Sequence, residues 1–94
     1  MAFQGFCGTV SAQGQIVSNG NFSCQFTNGN TYTIDYNGNV TNPVPVVSLN
    51  NQDPTLTYIL NDYSGGFMVY VYRNVNGTPT PTASDFNFIV GEIV

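Results

Sequence analysis

Residues 22–36 read FSCQFTNGNTYTIDY, and their alternation decides the fold. Phe22, Cys24 and Phe26 share one face of a strand, and Tyr32, Ile34 and Tyr36 share one face of the next. Between them stands Asn28-Gly29-Asn30, built from the residues that enter left-handed backbone most readily. A three-residue loop pairs Phe26 with Tyr32, Cys24 with Ile34 and Phe22 with Tyr36, gathering all six on one side of a hairpin. A two-residue Asn28-Gly29 loop would set the two apolar groups on opposite faces, because a slip of one residue inverts a strand. The three-residue register is therefore expected, with left-handed backbone near Gly29 or Asn30.

The same tripeptide recurs at 19–21 and 37–39, nine residues apart each time. That spacing leaves about six residues per strand, a typical length, and describes a tight antiparallel meander. Calcium-binding nonapeptide rolls also repeat every nine residues, but they need Asp in each turn where this chain has Asn. Period-two patterning gives strand candidates at 3–10, 15–18, 21–27, 31–36, 43–49, 55–61, 66–73 and 85–93. Pro43 and Pro45 make the 43–49 strand an edge, or start it late near Val46. Segment 78–82 reads as an exposed loop, with Pro79 and Pro81 among threonines. In the last strand Phe86, Phe88 and Val90 share a face. The expected class is all-β: one domain over residues 1–94, an antiparallel β-sandwich, jelly-roll-like, of seven or eight short strands. Its core is expected from Phe22, Cys24, Phe26, Tyr32, Ile34, Tyr36, Val47, Leu56, Tyr58, Leu60, Phe67, Val69, Val71, Phe86, Phe88 and Val90.

A second hairpin joins 55–61 to 66–73. A loop of Asp62, Tyr63, Ser64 and Gly65 pairs Leu60 with Phe67, Tyr58 with Val69 and Leu56 with Val71. The other face then carries Ile59, Met68, Tyr70 and Tyr72, so the hairpin is apolar on both sides. Either the strand is buried on both faces, or Met68, Tyr70, Tyr72 and Ile59 form an interface, whose aromatic, Met-rich and charge-poor composition they share. An interface of that kind points first to a homo-oligomer, since most assemblies are symmetric. Arg73, beside Tyr72 and Tyr63 in composition, offers a small polar-aromatic ligand site such as a sugar cleft; the alternative is a solvated strand-end arginine.

Charged residues make up only 6% of the 94, against about 25% in an average globular protein. Arg73 is the single cation, and the net charge is −4. Counterion release from nucleic acid needs several Lys or Arg, so nucleic acid is excluded as a partner, and anionic membranes fare no better. No apolar run approaches the ~18 residues of a spanning helix, so no membrane insertion is expected. The start, MAFQGFCG, lacks a basic region and a long apolar run and does not read as a signal peptide.

No His and no Lys stand in the chain, which removes Ser-His-Asp triads, Cys-His pairs and Schiff-base chemistry. Asp35, Asp53, Asp62, Asp85 and Glu92 are scattered near turns and strand ends rather than paired, so a two-carboxylate hydrolase is not indicated. No cofactor is called for, no EF-hand spacing is present, and two cysteines without histidine cannot complete a zinc shell. Cys7 and Cys24 either bridge, closing a loop of about 18 residues for about 3 kcal/mol, or stay as small apolar thiols. Sequons at Asn21, Asn39 and Asn76 arise readily in a chain rich in Asn and Thr, and turn chemistry accounts for two of them.

The run GTVSAQGQIVSNGNFSCQFTNGNTYTIDY, then NPVPVVSL, then DFNFIVGEIV, resembles small bacterial and phage β-sandwich recognition domains: tail-fibre tip domains, H-type lectin domains and C1q/TNF-like jelly rolls. The likeness lies in strand-and-turn pattern over most of the chain. It implies a sandwich used for recognition, often a homotrimer, in a secreted, cell-surface or virion-associated setting. It carries over no ligand residue, because H-type lectins use aromatic, charged or histidine side chains and this chain lacks Trp and His. The functional expectation is a non-catalytic module for glycan or host-surface recognition; the alternative is a structural or oligomerisation domain such as a fibre cap.

Overall fold

Eight strands follow in order: β1 (Phe3–Val10), β2 (Phe22–Thr27), β3 (Thr31–Tyr36), β4 (Pro43–Leu49), β5 (Leu56–Tyr63), β6 (Gly66–Val75), β7 (Thr78–Pro81) and β8 (Phe86–Ile93). The structure, a computed structural model, describes residues 3–17, 22–38, 40, 42–50 and 53–93, with backbone alone at 3–6 and 92–93. The strands form an open β-sandwich of two antiparallel sheets. The smaller has the order β1-β8-β4; the larger runs β2-β3-β6-β5, with β7 also on β6. The smaller sheet sends Val10, Val47, Phe86, Phe88 and Val90 inward, and the larger sends Phe22, Tyr32, Ile34, Phe67, Val69 and Val71. Their rings interlock edge to face: Phe22 on Phe88 with centroids 4.8 Å apart, Tyr32 on Phe86 at 5.1 Å, Phe67 on Phe88 at 5.2 Å. Val10 belongs to this core and was not expected there. Tyr58 was, but stands at the rim, where its hydroxyl donates to the Val47 carbonyl at 2.7 Å and ties the margins of the two sheets.

The β2–β3 register is the expected one: Phe26 faces Tyr32, Cys24 faces Ile34 and Phe22 faces Tyr36. The left-handed residues are Asn28 (φ 57°) and Gly29 (φ 73°), so the turn proper is Asn28-Gly29, and Asn30 is an extra residue behind it. Asn30 turns inward and is buried. Its carbonyl accepts from the Val71 N–H at 3.0 Å, and its Nδ2 donates to the Val71 carbonyl at 3.2 Å. Its backbone N–H is directed to the Thr27 carbonyl in the turn, so the side-chain amide continues the β3–β6 ladder by one step. The Tyr32 hydroxyl performs a similar task, donating to Ala12 O at 2.7 Å and accepting from Ser84 N at 3.1 Å.

Three expectations are corrected. Segment 78–82 is not a loop: Asn76 (φ 52°) and Gly77 (φ 84°) make a two-residue turn that pairs Val75 with Thr78 and lays β7 along β6. Pro79 and Pro81 face Asn74 and Tyr72, and the bond from Thr82 N to Val71 O marks the odd positions of β6 as those bonded on this side. The proline nitrogens therefore point away from β6, where a missing N–H costs nothing. The β5–β6 loop is Ser64-Gly65 alone, so the hairpin sits two residues from the expected register, with Leu60 facing Val69 and Ile59 facing Tyr70. A two-residue shift keeps every side chain on its face. Residues 15–17 form no strand, only the bridge from Ile16 to Val10. The Asn-Gly-Asn copy at 19–21 lies outside the described residues, as does Asn39; β4, with its prolines, is an edge strand that begins at Pro43.

Replacing Asn30 with Ala removes a buried amide and leaves the Thr31 hydroxyl without its acceptor. Urea unfolding should show Asn30→Ala destabilised by about 1–3 kcal/mol, and the exposed Asn37→Ala within about 0.5 kcal/mol of wild type.

Candidate recognition face

Odd positions of β6 enter the core, so even positions leave it. Pairing across three strands sets the outer face in rows: Ile59–Tyr70–Thr31, Asn61–Met68–Thr33, and Thr57–Tyr72–Pro81 with β7. Met68, Tyr70 and Tyr72 are half-buried by their neighbours, while Ile59 is 54% exposed. No third layer covers this face among the described residues, so the reading of a strand buried on both sides gives way to an open apolar stripe. The Tyr70 hydroxyl lies 3.5 Å from the Met68 sulfur. Exposed Gln25 and Thr27 on β2 extend the rows as a hydroxyl and amide margin.

At one end of the stripe the row is Tyr63–Gly66–Asp35. A Cβ at position 66 would collide with the Ile34 carbonyl, so the bare backbone of Gly66 is what lets β3 and β6 approach here. Tyr63 reaches across it and donates to Asp35 Oδ1 at 2.7 Å. Burial, then this bond to a carboxylate, push the Tyr63 hydroxyl up to about 12. Tyr36 is pushed up to about 12 as well, by burial and then by the negative charge of Asp62.

Arg73, Tyr72 and Tyr63 are not brought together. Tyr63 pairs with Gly66 and Leu56 with Arg73, seven ladder positions away, or about 23 Å at the usual strand rise. Arg73 and Tyr72 are successive residues and so point to opposite faces. The Arg73 guanidinium lies 3.1 Å from Asp53 Oδ2. Hydrogen bonds from the Thr55 hydroxyl and N–H, with Arg73 beside it, hold the Asp53 carboxyl below its usual range. What survives of the expected ligand site is Tyr72, now next to Tyr70 rather than to an arginine.

The cysteines sit in different sheets and are free thiols: Cys7 on β1 is exposed, and Cys24 on β2 leans into the core margin. The bridge does not form in this structure. Burial pushes the Cys24 thiol up to about 11. Among the described residues no cluster of three or more His, Cys, Asp or Glu lies close enough to hold a metal ion.

The outer face of the smaller sheet was not foreseen. Register places Cys7, Ile89 and Val46 in one exposed row and Thr9, Asn87 and Ser48 in the next. Asn87 accepts from Thr9 Oγ1 at 2.7 Å and exchanges hydrogen bonds with the Asn50 amide. The signal was present: in DFNFIVGEIV Asn87 and Ile89 alternate with Phe86, Phe88 and Val90, and in PVPVV Val44 and Val46 alternate with the prolines. Comparison with protein-family models, curated proteins and solved structures finds no match to this chain.

The thiol assignments predict unequal alkylation. Iodoacetamide at pH 8 should add one group per native chain, lost in Cys7→Ser, and a second only after unfolding. The raised Cys24 value stabilises the fold fully below the free-thiol value of 9.0 and loses that contribution as pH rises towards about 11. Thermal melts should fall over that window less steeply in Cys24→Ala.

Proposed function

We propose that the chain is a non-catalytic recognition module whose working surface is the outer face of the larger sheet and whose target is a glycan or glycan-bearing host surface. One observation carries the reading: Tyr70 and Tyr72 stand on the same side of β6, two residues or about 7 Å apart, on a face that no other layer among the described residues covers. Aromatic rings offer flat apolar area with a polar tip. Thr57, Asn61, Thr33 and Gln25 stand around them as neutral donors and acceptors, which suit hydroxyls better than ions. The one acid on these rows, Asp35, is engaged by Tyr63. The scarcity of charge and the resemblance to phage and bacterial β-sandwich domains support the same reading, with a secreted, cell-surface or virion-associated setting. The chain holds neither His nor Lys, and Asp53 is committed to Arg73 and Thr55, which supports a module without catalysis.

A second reading, a structural or oligomerisation domain, draws on the exposed row Cys7–Ile89–Val46, which gives the sandwich an apolar strip on its other side as well.

Glycan-array binding by the 94-residue chain tests the first reading. Tyr70→Ala and Tyr72→Ala should each lower binding at least tenfold with unchanged circular dichroism, and Arg73→Ala, on the opposite face, should change it less than threefold. An array without signal removes the glycan reading in favour of the structural one.

A further inference from the structure

We propose that β5 is the seam of a homodimer in which two copies of the chain join edge to edge into one continuous antiparallel sheet. An unpaired strand edge is a ready template for another strand, and proteins that must stay apart blunt their edges. Two of the other edges here, β4 and β7, carry prolines. On β4, the bond from Asn50 N to Asp85 O shows which positions bond to β8, and it leaves the nitrogens of Pro43 and Pro45 pointing outward; the Val47 carbonyl on that edge is filled by the Tyr58 hydroxyl. On β7, Pro79 and Pro81 do the same. The β1 edge is capped at Thr9 by the Val17 N–H, and β2, the opposite edge of the larger sheet, is six residues long against the eight of β5.

Strand β5 carries none of these devices. It is eight residues long, pairs only with β6, and contains no proline and no cation. Asn74 N donates to Thr55 O, so odd positions of β5 bond to β6 and the backbone groups of Leu56, Tyr58, Leu60 and Asp62 point outward. An antiparallel copy related by a two-fold axis through Ile59 is the register that pairs all four with one another: Tyr58 with Leu60, and Leu56 with Asp62. The two Ile59 side chains then meet at the axis on the outer face, which accounts for an isoleucine left 54% exposed. The same register sets Asp62 of the second copy beside Leu56, one strand from Arg73, which faces Leu56 on β6. The chain's single cation, 44% exposed and with donors beyond the one bonded to Asp53, thereby gains a second carboxylate neighbour. Charge and apolar surface are thus both self-complementary about one axis. The seam is independent of what the outer face binds, but it would place the two tyrosine stripes on one surface with the β6 strands about 14 Å apart, a bivalent arrangement.

Sedimentation equilibrium without any ligand tests the seam. The wild-type chain should approach twice its 10.2 kDa mass as concentration rises through the micromolar range. Ile59→Lys, which sets like charges face to face at an exposed position, should leave one chain mass. So should Asp62→Pro, which removes an outward N–H and no bond to β6. Both should keep the wild-type circular dichroism. Mixing Ile59→Lys with Ile59→Glu should restore the double mass, because those side chains meet across the axis. A wild type that stays at one chain mass, or a double mass that survives both single variants, overturns the seam. Tyr70 and Tyr72 are untouched in these variants, so the mass and the glycan array report separately.

Discussion

The Val71 carbonyl accepts two hydrogen bonds, one from Asn30 Nδ2 and one from the Thr82 amide, each 3.2 Å long. Strand β6 is ten residues long and has β5 along one side; its other side is shared, with β3 pairing at 66–70 and β7 at 72–75. Two strands that share an edge end to end leave a gap where neither ladder reaches. Position 71 is that gap, and it lies in the core, where its carbonyl takes the Thr82 N–H from the β7 side and is met by Asn30 from the β3 side. The extra residue behind the Asn28-Gly29 turn fills it. Because Asn30 is not consumed by pairing across the β2–β3 hairpin, its side chain is free to serve the next strand. One residue thus sets the parity of the β2–β3 hairpin and bridges the seam between β3 and β7 along β6.

Sequence patterning fixed what depends on parity and lost what depends on count or on distant partners. The faces of β2, β3, β5, β6 and β8 followed from alternation alone, and an even error in the β5–β6 loop left them unharmed. Parity also chose the three-residue loop with Asn30 behind Asn28-Gly29, whereas nothing in the pattern of 76–82 announced that Asn76-Gly77 would close a two-residue turn. Prolines misled at 78–81, since proline forbids a bonded position and not an edge strand as such. Whether Cys7 and Cys24 meet depends on which sheet each strand joins, and nothing local encodes that.

The candidate face shows the same division. Met68, Tyr70 and Tyr72 were placed on one side by period two. Tyr72, Arg73 and Tyr63 were grouped by chemical suitability, and strand geometry separates them, since neighbours along a strand face apart and Tyr63 closes the far end of the hairpin. The polar strip around Asn87 is made with Thr9 and Asn50 from strands distant in sequence, which no pattern local to β8 encodes.

The position of β8 bears on how the chain acquires its structure. It is last in sequence and central in its sheet, and β1 and β4 each pair with it and not with one another. The larger sheet draws its strands from residues 22–81, a span interrupted by β4, and three of its four pairings are hairpins between successive strands. The smaller sheet has no ladder without residues 86–93, because β8 is the partner of both β1 and β4. Joining Phe3 to its partner Ile93 closes nearly the whole chain, at an entropic cost of about 4 kcal/mol. The smaller sheet therefore rests on pairings far apart in sequence, the kind whose loop closure slows folding, while most of the larger sheet rests on local ones.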